Sequence, residues 1–336
     1  MNGAPVRAIA QLIEGAQLEK SGDLGGALWA YFESVTSAQR SGYWLDEDST
    51  PDAYFGLVVH AIEQIRSKRK ALFYQSYAHL KDQHGPKALA RVDKALAAYL
   101  RDIDCRPQDE RQRPRYFFFP DLPEIAFHDP HLHPWARGLQ ESFAVIQREA
   151  LRVFDEDKNF QNFLELSGRS AVADYVGGTG AAPSWEAFFF YRHGKRFDQN
   201  HARCPETSKI LEGLDLCRIA DQAPEICFSV LKPGTHLLPH YGVTNVRLVM
   251  HLPLLIPDKC ALHLIGIGKH HWQEGELVMF DDTFQHEAWN NSDQARVILL
   301  MDCWNPYLSE IERGAVRILL ETIATLHLAN RATRVV

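Results

Sequence analysis

The apolar residues of this chain change period once, and that change limits the folds open to it. Over roughly the first hundred residues they recur every three or four positions, as in Ile9, Leu12 and Ile13, then Leu24, Ala27, Leu28, Tyr31 and Phe32. That spacing is the signature of amphipathic helices. From position 185 onward the pattern becomes short β-rich runs bounded by Gly, Pro and Asn, at 185–191, 226–231, 246–255, 261–265, 276–280 and 296–303. Such regularly spaced runs predict an antiparallel barrel or sandwich, so the chain reads as α+β with its helices and strands segregated. An amphipathic helix closes the sequence at 308–329, carried by Ile311, Val316, Leu319, Leu320, Ile323 and Leu326.

These signals place a helical domain at 1–103, a linker at 104–115 and a second domain at 116–336. Within the first, residues 16–31 resemble one tetratricopeptide helix-turn-helix unit. No clear copy follows about 34 residues on, so a small helical bundle is expected rather than an array, with a surface open to a protein partner. The linker, Asp-Cys-Arg-Pro-Gln-Asp-Glu-Arg-Gln-Arg-Pro-Arg, is too charged and Pro-broken for a helix or a central strand.

Charge narrows the function classes. Against 36 Lys and Arg stand 43 Asp and Glu, a formal net charge of −7, and no basic stripe is present. Nucleic acid is therefore not an expected partner. No apolar run approaches the ~18 residues that span a bilayer, and the N-terminal residues lack a basic flank followed by an apolar segment. The expectation is no membrane partner and a cytoplasmic location. Six cysteines, Cys105, Cys204, Cys217, Cys227, Cys260 and Cys303, form no C-x-x-C pair, so they read as reduced, buried thiols.

Chemistry concentrates late in the chain. His240 ends the run Lys232-Pro233-Gly234-Thr235-His236-Leu237-Leu238-Pro239, and His286 stands where Phe280-Asp281-Asp282 leads into Thr283-Phe284-Gln285. Arg296 follows ten residues later at the start of an apolar strand. Two imidazoles and an arginine, each near a strand end of a small β-barrel, are the parts a non-haem Fe(II) oxygenase requires.

The surrounding motifs resemble the aspartyl/asparaginyl β-hydroxylase family of Fe(II)/2-oxoglutarate dioxygenases. They are Ser229-Val230-Leu231-Lys232-Pro233-Gly234-Thr235-His236; His240-x-Gly242-x-Thr244-Asn245-x-Arg247-Leu248-x-x-His251-Leu252; and Gly275 through Phe280-Asp281-Asp282 to His286-Glu287-x-Trp289. A looser match reaches back through Phe118-Phe119-Pro120-Asp121-Leu122-Pro123 and Phe127-His128-Asp129. The resemblance implies a double-stranded β-helix, the cupin-like jelly roll. It implies His240 and His286 as ligands to Fe(II), Arg296 and Ser229 on the distal carboxylate of 2-oxoglutarate, and His251 as a further cosubstrate contact. The implied reaction consumes 2-oxoglutarate and O₂, releases succinate and CO₂, and hydroxylates an unactivated carbon of an Asp- or Asn-like group that is free, peptidyl or carrier-bound.

Two features depart from the wider superfamily or the animal relatives. The usual facial-triad carboxylate, two residues after the first His, is Gly242 here, a trait the resembled family shares. Asp282 is then either a carboxylate that holds a water at the metal or the cap of its own turn. Where animal relatives read Arg-Leu-Arg-Met-His, this chain reads Arg247-Leu248-Val249-Met250-His251, so Arg247 alone remains to meet a substrate, unless it serves a structural ion pair. The open position at Gly242 also admits a chloride-binding halogenase, and a non-catalytic barrel acting as a sensor or scaffold is the third reading.

Other histidines read more plainly. His128, His131 and His133 lie in a Pro-punctuated loop before a helix, His270 and His271 at an exposed hairpin tip, and His236 on a strand-turn surface. Residues 176–180 read as a loop bordering the site, and Trp304 as core.

Overall fold

The computed structural model describes residues 6–156, 160–164, 175–179 and 183–332. Met1–Pro5, which bear on the N-terminal reading, and Gly180 lie outside the described residues. The chain forms two compact units, one of residues 1–96 with 310–336 and one of residues 97–309.

The first unit is helical, with helices Val6–Ser21, Leu24–Arg40, Asp52–Ser67, Arg69–Ser76 and Ala78–His84. The first two pack closely because Gly15 presents no side chain to the Tyr31 ring; a Cβ there would meet it below 3.0 Å. The Tyr31 hydroxyl donates to Glu19 Oε2 at 2.7 Å, which His60 Nε2 also reaches at 2.7 Å.

Helix Glu310–Ala332 belongs to this unit and not to the domain expected at 116–336. Its Ala315, Val316, Leu319 and Ile323 are fully buried. Arg91 grips Glu312 with a two-pronged ion pair, Nε to Oε1 at 2.8 Å and Nη2 to Oε2 at 2.6 Å, and Arg40 Nη2 donates to Thr325. Its apolar stripe and the forked pair, not its place in the chain, decide where it packs.

The second unit is built on two antiparallel sheets. In chain order the strands are β1 Phe127–His128, β2 Gln161–Asn162, β3 Val176–Gly178, β4 Trp185–Arg192, β5 Lys195–Arg196, β6 Ile226–Leu231, β7 Thr235–His240, β8 Arg247–Leu255, β9 Cys260–Leu264, β10 Gly268–His270, β11 Val278–Phe280, β12 His286–Asn290 and β13 Arg296–Trp304. The larger sheet has the order β1-β11-β8-β13-β6-β4-β2, with β5 on β4; the smaller runs β10-β9-β12-β7-β3. This is the α+β, two-sheet antiparallel arrangement the sequence predicts.

Strand parity explains why β6, β8 and β13 read as unbroken apolar runs: both faces of the larger sheet are covered. Phe228, Val230, Leu248, Met250, Leu252, Val297, Leu299 and Met301 form one buried cluster with Ile146, Ala150 and Val153 of helix Phe143–Asp155. The alternate residues Cys227, Leu231, Val249, Ile298 and Leu300 form a second cluster with Leu237, Leu262 and Ala288 of the smaller sheet. Because side chains alternate along a strand, Ser229, Arg247, His251, Arg296 and Asp302 share this second face, between the sheets.

Three expectations are corrected here. Val176–Gly178 is a strand paired with β7, Val176 opposite Leu237, rather than a loop. Residues 104–115 are not a free linker. Arg113 N donates to Thr283 O and Arg115 N to Gly242 O, and Gln112 is buried with its side-chain amide on Asp281, so the segment straps the strand ends of the second unit. His270 is on β10 and half-buried against Phe127; of that pair His271 is the exposed one. All six cysteines are free, and all but Cys105 are buried. Among the described residues no helix is long and apolar enough to cross a membrane.

Candidate active site

His240 reaches the space between the sheets through a β-bulge. On β12, His286 and Ala288 are two residues apart and share a face, but their partners on β7 are His240 and Leu237, three residues apart. In an unbroken strand His240 and Leu237 would point to opposite faces. The extra residue in β7 restores the match, and Pro239, which has no N–H to give the ladder, lies inside the bulge.

The two imidazoles therefore face each other with ring centroids 4.2 Å apart. His240 Nδ1 lies 2.7 Å from Leu238 O, and His286 Nδ1 lies 3.0 Å from Phe284 O. A carbonyl can only accept, so each Nδ1 carries the proton and each Nε2 keeps its lone pair. Burial lowers the pKa of both rings to about 4, helped at His240 by the neighbouring His286, so both are neutral at pH 7. Neutral imidazole with a free Nε2 is the metal-ligating form.

Asp281 and Asp282, adjacent in sequence, divide the two roles considered for Asp282. Asp281 caps the turn: it accepts from Thr283 N at 2.9 Å and Thr283 Oγ1 at 2.5 Å on one oxygen, and from Gln112 Nε2 at 2.8 Å on the other. Burial pushes its carboxyl up to about 7. Asp282 is left to face the cavity, where its Oδ1 is buried without a hydrogen-bond partner. Burial also raises the Asp282 pKa, opposed by Arg247 and His240.

At one end of the cavity Arg296 is 2% exposed, with Nε unpartnered and Nη1 only 3.5 Å from Ser229 O. Its guanidinium carbon lies 5.0 Å from the Trp272 ring centre, and burial lowers its pKa to about 10. A buried guanidinium with no carboxylate partner is costly unless an anionic ligand completes it. Nearby, Trp185 Nε1 donates to Ser229 Oγ at 2.9 Å, leaving the serine hydroxyl hydrogen free to point elsewhere. His251 is buried with Nδ1 unpartnered, and burial with the Arg296 charge depresses its pKa well below the usual imidazole range.

At the other end Arg247 donates to Asp302, and Asp282 Oδ2 lies 3.9 Å away. Burial works against the guanidinium charge, but the two carboxylates more than offset it and hold its pKa above the ordinary value. Burial raises Asp302 to about 6.

The seven residues expected from sequence, His240, His286, Asp282, Ser229, His251, Arg296 and Arg247, thus line one cavity of about 220 Å³. Sequence reasoning missed Trp185, Trp272 and Asp302, which line it too. Parity offered a signal for Asp302, the acid in an apolar strand at an even separation from Arg296. His128, His131 and His133 do not join the site: Asp129 caps the short turn Pro130–Leu132 through His131 N, and among the described residues no three His, Cys, Asp or Glu side chains converge as a metal group. His236 faces the other side of the smaller sheet, on Glu287. Trp304 is buried, as expected.

Residues 140–306 match the family described as aspartyl/asparaginyl beta-hydroxylase. The chain is 31% identical to aspartate beta-hydroxylase domain-containing protein 2 of Xenopus tropicalis, over 72% of this chain and 64% of that protein. It is 31% identical to ornithine lipid ester-linked acyl 2-hydroxylase of Rhizobium tropici, over 67% and 72% of the two chains. To human aspartyl/asparaginyl beta-hydroxylase it is 32% identical, over 54% of this chain and 22% of that one. The match thus spans a little under two thirds of the Xenopus relative's length. With the family match at 140–306 spanning the paired histidines and the glycine at 242, and with relatives identical to it at 31% of the aligned residues, the chain belongs to the aspartyl/asparaginyl β-hydroxylase family.

Proposed function

We propose that this chain is an Fe(II)- and 2-oxoglutarate-dependent hydroxylase. The observation that carries the reading is the convergence of unsatisfied groups on one buried cavity: two neutral imidazoles with free Nε2 atoms, an unpartnered Arg296 Nε and an unpartnered Asp282 Oδ1. A scaffold barrel gains nothing from burying such groups, each of which costs stability until a ligand completes it.

The residues fit the cofactor pair. His240 and His286 would hold Fe(II) through Nε2, and the Arg296 fork with the Ser229 hydroxyl would bind the distal carboxylate of 2-oxoglutarate. His251 would meet the cosubstrate beside them. Bound there, the metal supplies O₂ activation coupled to oxidative decarboxylation of 2-oxoglutarate, chemistry beyond any side chain. The protein's share is to orient and exclude: the Nδ1–H bonds fix both rings, Asp282 is placed to accept from a water, and Leu237, Leu262, Phe280 and Ile298 keep the cavity dry. The halogenase alternative loses support, because the space beside Gly242 holds the Asp282 carboxylate, a poor neighbour for a halide.

Succinate formation from 2-oxoglutarate tests the reading. His240→Ala and His286→Ala should each abolish the Fe(II)-dependent rate while circular dichroism stays that of the wild type. Near-normal succinate from both variants would remove the assignment. The relatives' names cover both an aspartyl or asparaginyl residue and an acyl group, so the substrate has to be read from this chain's own pocket.

A further inference from the structure

We infer that the cavity admits the reacting carbon of a hydrocarbon chain, an acyl or alkyl group with no carboxylate beside that carbon. The inference rests on the hydroxylase reading above and concerns the part of the cavity away from Arg296.

Two cations line the cavity among the described residues, Arg247 and Arg296. Arg296, beside Ser229, is assigned to the cosubstrate. Arg247 is already committed, since it donates to Asp302, which is 1% exposed and anchored by Glu225 N at 2.8 Å, and Asp282 lies 3.9 Å off. A substrate carboxylate entering here would be the third acid around one guanidinium. It would have to displace a buried, hydrogen-bonded partner or accept like-charge repulsion in a site that screens charge poorly.

The position that could have supplied a second cation is Val249. Parity along β8 turns its side chain to the same face as Arg247 and His251, and its register partners are Phe280 on β11 and Asp302 on β13. With Leu300 and Phe280, Val249 makes the cavity wall beside the two imidazoles hydrocarbon. A wall of that kind favours an apolar group and discriminates against a charged one, which would lose its hydration without gaining a partner.

The test measures succinate formation with Fe(II) and 2-oxoglutarate, alone and with either octanamide or a short peptide carrying one aspartyl residue. The rate without either probe, set against His240→Ala, reports on the hydroxylase reading itself; if the two are equal, that reading fails first. Given a wild-type rate above that control, octanamide should stimulate it and should be favoured over the peptide by about tenfold or more, the lower end of what a hydrophobic pocket discriminates. Val249→Arg should reverse the preference. As a readout independent of turnover, octanamide and not the peptide should raise the melting temperature of the metal-free protein. Should Val249→Arg fail to fold, the two wild-type arms still decide. Stimulation by the aspartyl peptide, or no response to octanamide in both wild-type readouts, overturns the inference.

Discussion

A side chain at position 242 and the carboxylate of Asp282 would claim the same volume. An ideal Cβ on Gly242 falls on the Asp282 carboxyl group, well under 3.0 Å, while Gly242 N donates to Asp282 O at 2.6 Å. The carboxylate that most facial-triad oxygenases carry on the first histidine's strand is here replaced in space by one from the turn before the second histidine. Glycine is required at 242 because Asp282 is there.

A carboxylate therefore cannot simply be added at 242. Gly242→Asp should destabilise the protein by about 1–3 kcal/mol through overpacking and should weaken Fe(II) retention, because it forces two buried acids into one site. The double variant Gly242→Asp/Asp282→Gly, with the space vacated, should recover stability and hold Fe(II) more tightly than the single variant. Thermal unfolding and a competitive iron-binding titration read both effects; equal iron retention by the two variants would show that the acids do not compete.

Arg296 should show opposite effects on stability and on cosubstrate binding. Its guanidinium is buried with Nε unpartnered, so Arg296→Met should raise the melting temperature of the metal-free protein. The same change should raise the KM for 2-oxoglutarate by the equivalent of about 2–5 kcal/mol, since a desolvated carboxylate would lose its charge-assisted partner. Arg296→Lys should restore binding only in part, a point charge being unable to form the fork. An unchanged KM in Arg296→Met would remove the assignment.

Much of this was legible because the relevant signals are local. The switch of period located the helical and sheet regions, and strand-end histidines with Gly242 between them identified the site. What stayed hidden depends on contacts distant in sequence. Nothing local says that helix Glu310–Ala332 packs with the first helices, because the reason is an Arg91–Glu312 pair spanning 221 positions. The charged run 104–115 looked like solvent-exposed linker because Gln112 and the backbone of Arg113 and Arg115, not its charges, carry the contacts. Asp281 and Asp282 could not be told apart by type; the strap residue Gln112 selects Asp281 for the turn and leaves Asp282 to the cavity. The bulge at Pro239 was equally invisible to a period-2 reading, although a proline inside a strand marks where such a break occurs.

Trp185 is predicted to act on the cosubstrate through Ser229. Its Nε1 donates to Ser229 Oγ at 2.9 Å, which fixes the hydroxyl as donor toward the cavity, and its ring stacks on Phe163 with centroids 3.7 Å apart. Trp185→Phe keeps the stack and removes the hydrogen bond. It should raise the KM for 2-oxoglutarate by about 1 kcal/mol, roughly fivefold, as should Ser229→Ala, with less effect on kcat. Because both act through one hydroxyl, the double variant should cost little more than either alone. Full additivity would mean that Trp185 contributes only by packing.

The last prediction concerns acid stability and the outer face of the smaller sheet. Glu287, next to His286, turns away from the cavity and accepts from His236 Nε2 and His263 Nδ1, each at 2.8 Å, so that one carboxylate joins β7, β12 and β9 directly behind the paired histidines. Burial raises the Glu287 pKa, but the two imidazoles more than offset it, and the net shift is downward. With a folded pKa below the unfolded value, the unfolded chain binds more protons in the interval between them, so stability rises with pH there. The contribution is complete above about pH 4.5, the ordinary range of a glutamate, and is lost as pH falls through the depressed folded value. Glu287→Gln should therefore lower the melting temperature at pH 7 by an amount corresponding to about 1 kcal/mol, the scale of a charge-assisted bond at a half-buried position. As pH falls below 4.5 the gap between variant and wild type should narrow, and it should close once pH is below the depressed folded value, where the wild-type side chain is neutral like the variant's. Thermal unfolding of the two proteins between pH 3.5 and 7.5 measures the gap directly, and a gap that stays constant across that range would show that the carboxylate's charge is not what holds the three strands together.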